Sequence, residues 1–217
     1  MLQLLWADVD GLDMEMEKLP PLSAYRREKI NKLKLTRAKK CSAGVELLLI
    51  HALRRQGKAK NLPLHIESAD GGKPYLHGEE LHFNQSHSSH FVACAISDDP
   101  LGLDIQILSP CRESVLRRFF TPEERAEILN SEDKDGVFTR LWCRKESYIK
   151  MTGRGLRTDL SALDFSGDTP QAVYDGREYR FCETRLFDLF FCVCLPSEAS
   201  PAVLSPEKIE CSDLSDV

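Results

Sequence analysis

The chain has 217 residues, 42% of them hydrophobic and 29% charged, enough to bury a substantial core as one large domain or two small fused ones. No stretch approaches the roughly 18 apolar residues of a membrane helix, and the opening "MLQLLWADVDGLD" turns acidic too soon for a signal peptide, so a soluble, cytoplasmic protein is expected. The net charge of -5 is uneven: residues 26–40, "RREKINKLKLTRAKK", hold eight Lys or Arg against one Glu, a local +7 that leaves -12 for the rest. Such a segment reads either as a solvated helix face or as a surface for an anion; the aromatic interleaving typical of single-strand nucleic-acid binding is missing.

Residues 2–9 read as a first strand and 22–34 as a helix with Leu22, Tyr25, Ile30 and Leu33 inward. A stronger helix spans "SAGVELLLIHALRRQG", apolar at Val45, Leu48, Leu49, Ala52 and Leu53, with Gly57 placed to end it. "ESADGGKPYLHGEE" is dense in turn formers and is expected as a loop. "FVACAIS" and "LGLDIQIL" follow as strands. Thr121, Pro122 and Glu124 supply an N-cap, an N1 proline and a capping-box acid for a third helix. A fourth, "VFTRLWCRKESYIKMTG", ends near Gly153 or Gly155. Short strands are expected around "AVYDGREYRF" and "RLFDLFFCVCLP", and a loose Ser, Pro and acid-rich tail from 197 to 217.

The eight cysteines form no CxxC pair and no zinc-like spacing, so most are expected as reduced, buried packing residues. This includes Cys192 and Cys194, which share one face of a strand. In "LGLDIQIL", period two places Asp104 and Gln106 on one face, about 6–7 Å apart. By themselves they fit either the wet face of an edge strand or an oxygen site for a cation. Glu146 and Lys150 share a helix face and fit either an exposed ion pair or a site. Asp104 and Glu146 together suit Mg2+, which takes oxygen ligands and substrate phosphate. "HFNQSHSSH" lacks the partners for zinc or for a serine nucleophile. Its hydroxyls, imidazole and turn amides suit a phosphate grip at Ser86 and His87, while His82 and His90 read as structural or surface residues.

Five stretches, "GGKPYL", "HFNQSHS", "LGLDIQ", "RFFTPEE" and "LWCRKESYIKMTGRGL", in this order and with the two acids 42 positions apart, resemble the Sfp-type 4'-phosphopantetheinyl transferases. The resemblance implies an α+β fold of two similar α/β halves about a pseudo-twofold, here 1–98 and 99–196, with coenzyme A in the cleft between them and a monomeric state. It implies transfer of phosphopantetheine from coenzyme A to a serine of an apo acyl or peptidyl carrier protein, releasing adenosine 3',5'-bisphosphate, with no nucleic acid or membrane partner. Asp104, Gln106 and Glu146 match the Mg2+ ligands (Mn2+ is an alternative), and Lys150 matches the lysine that holds the pyrophosphate. Arg26, Lys29, Lys40, Lys73, Pro74, Ser86 and His87 match residues around the coenzyme's phosphates and adenine. Gln106 stands where many members have a second acid, which implies weaker Mg2+ binding or a changed preference between Mg2+ and Mn2+. Arg117, Arg118, Phe119 and Phe120 are candidates for docking the carrier, although the phenylalanines also suit a core. Two other classes fit parts of the pattern: a non-catalytic coenzyme or carrier-binding module, and a Mg2+-dependent nucleotide hydrolase.

Overall fold

The N-terminal residues do form a strand: in β1, Leu2–Asp8, Leu5 and Ala7 are fully buried. The computed structural model describes residues 2–15, 18–59, 61–68, 72–153, 155, 158–168, 171–174, 176–199 and 203–215, divided into two units, Met1–Asp98 with Ser205–Val217 and Asp99–Leu204. In the first unit, β1 pairs antiparallel with β5, Phe91–Ser97, from Leu2↔Ser97 to Asp8↔Phe91. β5 pairs in turn with β4, His82–Ser88, and β10, Glu207–Lys208, adds parallel to β1.

Helix α1, Ala24–Lys32, starts at Ser23, whose side chain accepts from the Arg26 amide. Helix α2, Thr36–Arg55, packs its apolar run on the sheet. It begins six residues before the expected start, because the polar "TRAKKC" continues the helical frame without adding an apolar signal. Gly44 allows the close approach: a Cβ there would lie 2.7 Å from Val9 Cγ1 and 3.3 Å from Val92 Cγ2. Gly57, with φ +70°, ends the helix as expected.

Three expectations need correction in this unit. Part of the expected loop is a small hairpin, β2, Ile66–Ser68, with β3, Pro74–Leu76; Ile66 and Leu76 are buried, and that apolar pair holds it on the core. "HFNQSHS" is a strand whose ladder to β5 runs from His82↔Ser97 to Ser88↔Phe91, and the turn comes afterwards at Ser89, φ +56°. Residues 205–215 join the first unit instead of forming a loose tail: Ile209 and Leu214 are buried in its core, two apolar side chains hidden in a polar composition.

The second unit is an antiparallel sheet ordered β6-β9-β8-β7, with β6 Gly102–Ile107, β9 Leu189–Pro196, β8 Arg177–Leu186 and β7 Gln171–Tyr174. Helix α3, Glu113–Phe119, has no strong sequence signal, while α4, Pro122–Asn130, forms behind the complete Thr121/Glu124 capping box. Helix α5, Lys134–Thr152, lies on β6 and β9 and ends at Gly153 in the left-handed conformation. Each unit is thus a long helix on a four-stranded sheet, an α+β architecture. A final short helix, α6, Cys211–Ser215, packs on α2. Cys192 and Cys194 are buried, reduced thiols.

Candidate functional site

In the first unit a cavity of about 530 Å³ opens between α1, the start of α2, β3 and β4. Tyr25, Arg26, Lys29 and Lys32 face it from α1, Ser42 from α2, Pro74 from β3, and Asn84, Gln85, Ser86 and His87 from β4. Five residues expected around coenzyme A are therefore brought together: Arg26, Lys29, Pro74, Ser86 and His87. Lys40 and Lys73 are not among the lining residues, and the Lys40 ammonium donates to the Asp10 carbonyl.

The charges lining the cavity play different parts. Glu46 is fully buried in α2 and accepts from the Ser23 amide at 2.6 Å and its hydroxyl at 2.8 Å. A buried carboxylate requires a countercharge, and Arg26 Nε supplies it at 3.2 Å. The same guanidinium donates to Ser42 Oγ and Gln85 Oε1. Arg26, 5% exposed, thus joins α1, α2 and β4 as a wall residue with its charge matched inside the protein. Lys29 differs: it is exposed, with its ammonium 4.4 Å from the centre of the Tyr25 ring. Lys32 also lies at the rim, paired with Glu28 at 2.6 Å. Ser86 is buried and His87 exposed. They can act through side chains, since their backbones belong to the β4 ladder instead of a turn. Tyr25, Ser42, Asn84 and Gln85 escaped the sequence reading; only Asn84 and Gln85 had a signal, because they lie within the singled-out stretch.

In the second unit, the face of β6 carrying Gly102, Asp104 and Gln106 meets α5. A Cβ on Gly102 would lie 2.0 Å from the Ser147 carbonyl and 2.3 Å from the Met151 amide, so only glycine lets strand and helix come this close. Lys150 Nζ consequently reaches Asp104 Oδ1 at 2.6 Å, and Gln106 Nε2 donates to Asp104 Oδ2 at 2.8 Å. Asp104 is 2% exposed, which rules out the wet-face reading. Glu146 sits one turn before Lys150 on α5. Burial, reinforced by the charge of Asp104 and opposed by that of Lys150, pushes its carboxyl above the usual range. Their neighbours Arg144 and Lys145 are structural: Arg144 grips Glu183 through two hydrogen bonds, and Lys145 pairs with buried Glu124 at 2.8 Å while donating to the Leu160 and Leu163 carbonyls.

Two carboxylates, buried Asp104 and half-buried Glu146, beside one lysine and one amide, form an oxygen-rich site with excess negative charge. That donor chemistry fits a hard divalent cation such as Mg2+. Among the docking candidates, Phe120 is core, packed against Phe138 at 5.5 Å between ring centres, whereas Arg117 and Arg118 are exposed.

A model of the 4'-phosphopantetheinyl transferase superfamily matches residues 100–193, the stretch that carries Asp104, Glu146 and Lys150. The chain is 34% identical over 120 residues to a 4'-phosphopantetheinyl transferase of Bacillus subtilis, covering 52% of this chain and 54% of that one. It is 30% identical over 167 residues to one of Bacillus pumilus, covering 75% and 71%, and 33% identical over 122 residues to a further one of Bacillus subtilis strain 168, covering 54% of each. In two of these three the match spans about half the length of the relative.

Proposed function

We propose that this chain, which belongs to the 4'-phosphopantetheinyl transferase superfamily, transfers the phosphopantetheine arm of coenzyme A to a serine hydroxyl of an apo acyl or peptidyl carrier protein. The observation that carries the reading is the Asp104, Glu146 and Lys150 cluster that β6 and α5 hold together. Asp104 and Glu146, with Gln106 beside them, would hold Mg2+. When bound, that ion supplies countercharge to the pyrophosphate.

The protein's own groups account for the remaining steps. Lys29, with Ser86 and His87, offers positive charge and hydrogen-bond donors to the coenzyme's phosphates, and Arg26 keeps the wall that carries them in place. Glu146, whose proton affinity burial has raised, accepts the proton of the incoming serine hydroxyl. The serine oxygen attacks the phosphorus bearing the pantetheine arm, the P–O bond to the nucleotide phosphate breaks, and the Lys150 ammonium stabilises the oxygen that leaves. The products are holo carrier protein and adenosine 3',5'-bisphosphate. The nucleophile belongs to the partner, so the chain needs no activated serine or cysteine of its own.

The basic segment serves an anionic small molecule, since Arg26, Lys29 and Lys32 line the cavity. Among the described residues no helix is long and apolar enough to cross a membrane. A cytoplasmic, monomeric enzyme completes the reading. Chromatographic assay of adenosine 3',5'-bisphosphate tests it: the nucleotide should appear only when apo carrier protein and coenzyme A are both present. Nucleotide formed without carrier would favour a hydrolase.

A further inference from the structure

The β2–β3 hairpin carries a second group of donors that the proposed reaction leaves unused. His65 precedes β2 and His77 follows β3, so they stand opposite each other just beyond the Ile66↔Leu76 pair, with the His77 amide donating to the His65 carbonyl at 2.9 Å. Glu67, two residues along from His65, shares its face of the hairpin. One carboxylate oxygen, Glu67 Oε1, lies 3.2 Å from His65 Nε2 and 3.3 Å from His77 Nδ1. The three ligand atoms all fall within 4.8 Å of one another. The other oxygen, Oε2, accepts from the Tyr75 hydroxyl at 2.5 Å, which fixes the carboxylate with Oε1 toward the imidazoles.

We infer that His65, Glu67 and His77 form a Zn2+ site on the face of this hairpin. Ligands at about 2.0–2.1 Å on the corners of a tetrahedron lie about 3.3–3.4 Å apart, close to the two spacings around Oε1. Two imidazoles and one carboxylate are a donor set that zinc accepts while keeping a fourth position open. Tyr75 supplies the outer hydrogen bond that orients a ligating carboxylate. His65 and His77 also line a cavity of about 310 Å³ with Lys58, Asn61 and Glu79, so the fourth position has space for water or a small anion. The ion would tie together two strands that pair over only three residues each, a ladder too short to be stable by itself. Because β3 starts at Pro74, a wall residue of the larger cavity, the same ion would steady that wall.

The competing explanation is a metal-free cluster of two imidazoles around a carboxylate. Calorimetric titration of ZnCl2 into the untagged, chelator-treated 217-residue chain separates the two. Zinc should bind at one equivalent to wild type, with that equivalent lost in the His65→Gln/His77→Gln double variant and weakened at least about tenfold in Glu67→Gln. Co2+ in place of zinc should give the intense visible absorption of a four-coordinate ion in wild type alone. Equal zinc binding by wild type and the double variant, or a six-coordinate Co2+ spectrum, would overturn the site. Thiols elsewhere in the chain are common to both proteins and cancel in the comparison.

Discussion

A single missing charge sets Gln106 apart: its amide donates to Asp104, where a carboxylate would add a third negative group to the acid site. In Gln106→Glu, half-saturation of activity by Mg2+ should fall at least about fivefold, since close charges in a partly buried site interact by several kcal/mol. An unchanged Mg2+ dependence would contradict the placement of the ion there. Arg26 and Lys29 divide the basic segment in the same residue-level way. Arg26→Ala leaves Glu46 buried without a countercharge and should cost about 3–5 kcal/mol in urea unfolding. Lys29→Ala should stay within about 0.5 kcal/mol of wild type while raising KM for coenzyme A. A normally stable Arg26→Ala with only a raised KM would reverse the two roles. The Asp104 and Gln106 pairing was legible because strand period fixes which side chains share a face. The burial of Arg26 was not, because its partner lies 20 residues on, inside an apolar helix, and nothing local announces the pair.

Elements formed where capping or periodicity was explicit, as in α4 behind Thr121 and in α5 up to Gly153. They escaped where polar residues occupied ordered positions: the first turns of α2, strand β4 with its histidines and serines, and the pairing of β10 through residues that look like a tail. Strand β6 and helix α5 meet through Gly102, and that contact can be tested directly. In Gly102→Ala the new methyl would meet backbone atoms of Ser147 and Met151, which cannot rotate away, so the helix must shift. A loss of about 1–3 kcal/mol in stability is expected, with transferase activity falling further than the unfolded fraction explains, because Lys150 and Asp104 are drawn apart. Wild-type stability and activity in this variant would show that the close approach is unnecessary.

For the whole molecule, the two-unit plan was readable from repeated helix-then-strand order, whereas return of the chain to the first unit after residue 204 was not, since it depends on two buried side chains, Ile209 and Leu214. Buried thiols add a pH dependence to stability. Burial pushes Cys94 up to about 12, and Cys143 and Cys192 also well above the ordinary thiol range. Because the folded values are raised, the unfolded chain ionises first. Stability is therefore full below about pH 8.5 and declines as pH climbs, by about 1.4 kcal/mol per unit for each thiol. Urea midpoints at pH 8 and pH 10 should separate more in wild type than in Cys94→Ala; equal separations would mean that Cys94 ionises in the folded state. Intact mass spectrometry of an apo carrier protein incubated with this protein, coenzyme A and Mg2+ tests the transfer most directly. A gain of one phosphopantetheine on the carrier is expected, absent with Glu146→Ala and absent without the metal. An unmodified carrier across both acyl and peptidyl types, or a gain that survives Glu146→Ala, would contradict it.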